Sequence, residues 1–158
     1  MDKLIENTVS LVTGMAGNYM LICAMMGWFG ASMIKIAICL ARDKRLDFRK
    51  LFASGGMPSS HSATVTALCT AAAKSQGLRT PEFAISFIFA YIVMHDAAGV
   101  RRAAGEQAKT LNSLVNSLFE HKPLYLNKKL KELIGHTPLE VVVGGLLGVL
   151  ISLLFPVY

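Results

Sequence analysis

Blocks of apolar residues alternate along this chain with short runs that carry most of its charge. After an amphipathic lead-in over residues 1–14 (Leu4, Val9, Leu11, Val12), a first strong apolar block runs from about 19 to 40. That is long enough to cross a hydrocarbon core of roughly 30 Å. Lys35 is its one charge and sits near the basic end, which predicts a side chain that snorkels to the interface. A second block, 60–73, is rich in Ala and Thr and short for a span; small residues predict a helix inside the bundle. Thr80-Pro81-Glu82 has the order of a helix start, and the apolar run 83–98 follows it. Leu111, Leu114, Val115 and Leu118 recur at helical spacing within 103–119, and Pro123 ends that pattern. The last block, 138–155, carries Gly144, Gly145 and Gly148 as a small-residue packing face. The pattern predicts an all-α integral membrane helical bundle with about four spans, organised as a single membrane domain over 1–158.

Composition agrees. Hydrophobic residues make up 53% of the 158 and charged residues only 16%, against roughly 25% in an average soluble domain. The formal net charge of +6 does not suggest nucleic acid, because the basic residues flank apolar blocks instead of forming a stripe with aromatics. Cys23, Cys39 and Cys69 lie inside apolar blocks without metal-ligand spacing and read as small buried hydrophobes. The acidic residues Asp2 and Glu6 beside Lys3, with no small-residue cleavage site, argue against a removable signal peptide. Of sixteen Lys and Arg, five lie in 42–50 and seven in 101–131. Four spans put the connectors 42–56 and 101–135 on one side, which the positive-inside rule makes cytoplasmic. A bacterial cytoplasmic membrane is the expected location.

Chemistry-bearing residues gather at that same face. In Gly55-Gly56-Met57-Pro58-Ser59-Ser60-His61-Ser62, glycines permit close backbone approach, and a helix starting near Pro58 would aim N–H groups at an anion beside Ser59, Ser60 and His61. The same residues also suit an ordinary loop and N-cap. Asp96, at the end of an apolar helix, needs a partner such as Lys50, Arg101 or Arg102, either in a salt bridge closing the bundle mouth or in catalysis. Arg101 and Arg102 read as membrane anchors or as planar phosphate donors. His136 and Glu140 are spaced to meet on one helix face, where the carboxylate would set the imidazole tautomer; a plain surface pair is the other reading. His95 and His121 lack such support and read as structural.

Three segments carry a resemblance. The Gly-Gly-Met-Pro-Ser-Ser-His-Ser-Ala stretch, the run from Asp96 through Arg101-Arg102 to Gln107-Ala108, and Leu133-Ile134-Gly135-His136-Thr137-Pro138-Leu139-Glu140-Val141 occur in order. Together they resemble the divergent branch of the type 2 phosphatidic acid phosphatases, which is related to acid phosphatases and vanadium haloperoxidases. The resemblance implies a histidine nucleophile and a histidine acid. By motif, His136 would attack phosphorus, Glu140 would orient it in place of the usual Asp, and His61 would protonate the leaving oxygen. Ser59 and Ser60 would hold phosphate oxygens, with Lys50 and Arg101 or Arg102 neutralising them. This sequence departs from the mainstream pattern at Ser60, where glycine is usual, and lacks the Ser-Arg that precedes the nucleophilic histidine. Asp96 has no mainstream counterpart and stays open to the role of base or metal ligand. The implied activity is hydrolysis of a lipid phosphate, phosphatidate-, phosphatidylglycerophosphate- or polyprenyl-phosphate-like, at the cytoplasmic face. No cofactor is required by this scheme, and a Mg ion is left open. The alternative is a non-hydrolytic lipid-phosphate binder or flippase using the same anion site. The expected partners are the lipid substrate and the bilayer, with no nucleic acid; a homodimer is compatible with the packing glycines.

Overall fold

The structure is a computed structural model and describes residues 1–44, 56–118 and 135–157. Among these the chain is all-helical: α1 (Asp2–Ala16), α2 (Tyr19–Asp43), α3 (Ser60–Ser75), α4 (Pro81–Ala98), α5 (Val100–Leu118) and α6 (Pro138–Leu154). Local chemistry sets the starts. The Asn18 side chain accepts from the Leu21 N–H, Thr80 from Phe83 with Pro81 in the first turn, and Thr137 from Glu140 with Pro138 in the first turn. Each supplies an acceptor where the helix has unpaired donors. One helix start differs in its local chemistry from the sequence pattern. Pro58 was expected in the first turn of α3, but Ser59 is its N-cap and Pro58 precedes the helix. The Ser59 hydroxyl accepts from the Ser62 N–H, and a serine acceptor satisfies a donor where a first-turn proline only avoids having one.

α3 is the centre of the bundle, with α2, α4 and α6 packed around it. Its small residues make this geometry: Ala63, Ala67 and Ala71 are fully buried. A Cβ on Gly27 of α2 would lie 2.6 Å from the Ala63 carbonyl oxygen and 2.9 Å from the Ala67 Cβ. A Cβ on Gly148 of α6 would run into the same Ala63 carbonyl and the Thr66 hydroxyl. Backbones thus meet with almost nothing between them, the way helices associate in lipid. The Thr66 hydroxyl donates to the Gly145 carbonyl at 2.9 Å, a polar tie between α3 and α6.

The far end of the bundle is closed by Tyr19, whose hydroxyl donates to the Phe155 carbonyl at 3.0 Å, and by Lys74. The Lys74 ammonium donates to the carbonyls of Ser152 (2.8 Å) and Phe155 (2.6 Å), satisfying groups that the C-terminus of α6 leaves open. These contacts set the direction of every helix. The C-terminal ends of α2 and α4 and the N-terminal ends of α3 and α6 share the opposite, basic end.

The outer surface is apolar. Ile85, Phe87, Ile88, Phe89 and Ile92 on α4, and Leu146, Leu150 and Leu153 on α6, are all more than half or close to half exposed. Such a surface suits lipid, not water. Tyr19–Arg42 and Pro81–Val115 each contain a stretch long and apolar enough to cross a membrane, in the second case along α4, while the apolar α6 has 17 residues and α3 has 16. At about 1.5 Å per residue α3 spans roughly 24 Å, shorter than the hydrocarbon core, so its polar start can lie at or below the headgroups. Lys35 does not snorkel as expected. It is 5% exposed on the buried side of α2, and its stem carbons lie 3.8 Å from where a Gly56 Cβ would be.

Candidate active site

Two helix starts and one helix end converge at the basic end. The Ser59 N–H donates to the Glu140 carbonyl at 3.1 Å, joining the start of α3 to the first turn of α6. The His136 N–H donates to the Ala97 carbonyl at 3.2 Å, joining the segment before α6 to the last turn of α4. Gly144 permits the first contact, since a Cβ there would be 2.9 Å from the Ser59 nitrogen and closer still to its carbonyl oxygen. The sequence motifs therefore meet through backbone as well as side chains.

Glu140 holds the centre of this junction. Its carboxylate Oε2 accepts from the Thr137 N–H at 3.1 Å while its own N–H donates to the Thr137 hydroxyl at 3.3 Å, a complete capping box. The same Oε2 lies 3.1 Å from His136 Nδ1. An ionised carboxylate only accepts, so Nδ1 is the donor in this contact, and in a neutral ring the lone pair falls on Nε2. His136 is 3% exposed, and its Nε2 has no hydrogen-bond partner among the described residues. Burying an unsatisfied polar atom costs about 1–3 kcal/mol, which a purely structural histidine would be expected to avoid. The His61 ring lies across from it, centroids 6.4 Å apart and planes at 64°. His61 itself is exposed, on the first turn of α3. One histidine is thus buried and oriented, and the other is open to the surroundings.

The remaining candidates divide. Ser59 is fully buried, and its hydroxyl is occupied by the Ser62 N–H and hydroxyl as an N-cap. Ser60 is 4% exposed at the start of α3, where helix N–H groups and the positive end of the dipole point outward. Asp96 is half-buried in the last turn of α4, one residue from the Ala97 carbonyl that holds His136. Arg102 is exposed and its Nε donates to Glu106 at 3.3 Å along α5. Arg101 lies on the first turn of α5, and Lys50 and His121 lie outside the described residues. His95 stays apart, its ring stacked on Tyr91 at 6.1 Å on the exposed side of α4.

Lys35 is the residue that the sequence reading missed. It is buried at the same end of the bundle, beside Gly56 of the first motif. The signal was local: the small residues Ala31 and Gly27 lie four and eight residues before Lys35, within about 80° of it around the helix.

The chain is 44% identical over 146 residues to a Bacillus subtilis protein described as the uncharacterized membrane protein YuiD, covering 86% of this chain and 92% of that one. No solved structure matches. The family model described as "Divergent PAP2 family" matches residues 16–151, which includes α2, α3, α4, α5 and nearly all of α6, together with both histidines. The chain belongs to the Divergent PAP2 family.

Proposed function

We propose that this membrane protein is a phosphatase that removes a phosphate from a membrane lipid, with His136 as nucleophile. The observation that carries the proposal is the buried Nε2 of His136, which has no hydrogen-bond partner among the described residues, while Nδ1 lies 3.1 Å from the Glu140 carboxylate. In the reaction, Nε2 attacks phosphorus and the bond from phosphorus to the lipid oxygen breaks. His61, in its protonated form, gives that oxygen a proton. Water then attacks the phosphohistidine, the P–N bond breaks, and His61 takes the proton back from the water. Inorganic phosphate leaves and both rings are restored. With 6.4 Å between ring centroids, the two histidines are close enough for one phosphoryl group to reach both.

Charge on the phosphoryl oxygens needs cations and N–H donors nearby. Lys35 beside Gly56 and the N-terminus of α3 at Ser60 supply them in this reading, with Arg101 and Lys50 as further cations from the basic connectors. Asp96, near the backbone that holds His136, acts as a positioning group. The short α3 and α6 favour a lipid substrate, because they set the histidines near headgroup depth while a tail stays in the bilayer. The basic connectors favour a cytoplasmic face for the site by the positive-inside rule.

The test is phosphate release from phosphatidate, phosphatidylglycerophosphate and a polyprenyl phosphate in detergent, for wild type beside His136→Ala and His61→Ala, with and without chelator. The expected result is release by wild type, lost in both variants while they remain folded. Full activity in either variant would overturn the mechanism. Saturable lipid-phosphate binding without release would point instead to a binder or flippase.

A further inference from the structure

α5 takes no part in the packed bundle. It starts at Val100, directly after Gly99, where α4 ends, so its first turn is held at the basic end of a membrane helix. Its principal packing partner is α4. At about 100° per residue, Val100, Ala104, Leu111, Leu114 and Leu118 fall on one face, and Arg102, Glu106 and Lys109 on the opposite one. The apolar face is not buried by the fold: Val100 is 62% exposed, and Leu111 and Leu114 are each 50% exposed. The helix carries three basic residues (Arg101, Arg102, Lys109) and one acidic residue, Glu106, which pairs with Arg102 at 3.3 Å. The charge surplus is positive.

We infer that α5 lies in the plane of the membrane on its basic side, with the Leu111 face among the acyl chains and the basic residues on anionic headgroups. Three features favour a lipid surface as the occupant. The start of α5 is tied to the interface by α4, so lipid is always within reach. The apolar surface of α4, with Phe87, Ile88 and Ile92 exposed, leads to the same boundary, so the lipid-facing surface continues from one helix to the next. The positive surplus matches anionic headgroups, whereas pairing α5 with α5 of a second copy would bring like charges together. The inference concerns the surface of the protein and does not depend on the catalytic reading.

The test uses the full chain with Cys23, Cys39 and Cys69 replaced by alanine, carrying Leu111→Cys or Lys109→Cys labelled with an environment-sensitive fluorophore. The protein is placed in nanodiscs of phosphatidylcholine, with or without phosphatidylglycerol. Brominated acyl chains should quench the Leu111→Cys probe roughly threefold or more over the Lys109→Cys probe, as for an interfacial amphipathic helix. The difference should grow with phosphatidylglycerol and shrink in Arg102→Gln. Equal quenching of both probes by aqueous iodide would overturn the inference. So would a Leu111→Cys probe shielded from both quenchers with cross-links between copies, which would make α5 a dimer contact. If the cysteine-free chain does not fold, hydrogen exchange of the wild type decides. Slower exchange of α5 amides in phosphatidylglycerol supports the inference, and unchanged exchange overturns it.

Discussion

Gly144→Ala tests the junction of the two histidine motifs through a single methyl group. The Cβ it adds would lie 2.9 Å from the Ser59 nitrogen, 3.1 Å from the Ser59 carbonyl carbon and closer to the carbonyl oxygen. All three are backbone atoms, held by the Ser59 N-cap and by the 3.1 Å hydrogen bond from the Ser59 N–H to the Glu140 carbonyl. No side chain can swing away, so α6 must shift by several tenths of an ångström or more. Overpacking of this kind costs about 1–3 kcal/mol, and loss of the hydrogen bond would add about 1 kcal/mol. The same shift moves His136 and Glu140 relative to His61. A misplacement near 1 Å can reduce turnover on the order of 10²-fold. Gly145→Ala is the internal control. Its Cβ would meet the Met94 Cε at 3.3 Å and the Thr66 Cγ2 at 3.5 Å, and a methionine end can yield. Thermal unfolding in detergent and phosphate release should both fall in Gly144→Ala and stay near wild type in Gly145→Ala. Wild-type stability and activity in Gly144→Ala would refute the close approach of α6 to the motif.

Other consequences follow from the same contacts. Glu140→Gln removes the charge that keeps the His136 proton on Nδ1, and turnover should fall about 10²-fold or more with the protein still folded; unchanged kcat would dismiss the orienting role. Lys35→Met replaces a buried ammonium with an apolar chain of similar length, so phosphate release per folded molecule should fall steeply. Restoration of activity by Lys35→Arg would show that charge is what matters there, whereas full activity of Lys35→Met would remove Lys35 from the site. Lys74→Met strips the C-terminal carbonyls of α6 of their ammonium donor and should cost about 1–3 kcal/mol in unfolding. At the far end of the bundle, it should leave turnover per folded molecule unchanged; a selective loss of turnover would contradict that placement.

How far the sequence reveals this molecule depends on the kind of interaction. Helix starts at Asn18, Thr80-Pro81 and Thr137-Pro138 are legible because capping is local, made by a side chain two or three residues from its target. The start of α3 was shifted because Pro58 and Ser59 both carry start signals, and the hydroxyl acceptor prevails. His136 and Glu140 were legible as a pair because a four-residue spacing already implies contact on a helix. The meeting of His61 with His136 rests on distant segments and was inferable only from the shared basic end. Lys35 was read as a single charge in an apolar run, where snorkelling is the common outcome. Its face, shared with the fully buried Ala31 and Ser32, shows instead that it points inward. Arg102 shows the reverse: placed at the right end by sequence, its guanidinium turns to Glu106 four residues on.

The central claim is that His136 Nε2 forms a bond to phosphorus. Rapid acid-free quenching during turnover of a phosphate-labelled lipid, followed by peptide mapping, tests it directly. The account predicts an acid-labile, base-stable phosphate on His136, absent in His136→Ala. It should accumulate in His61→Ala with a substrate whose leaving group needs no proton. Phosphate carried by His61, or release with no covalent phosphate on the chain, would contradict the account.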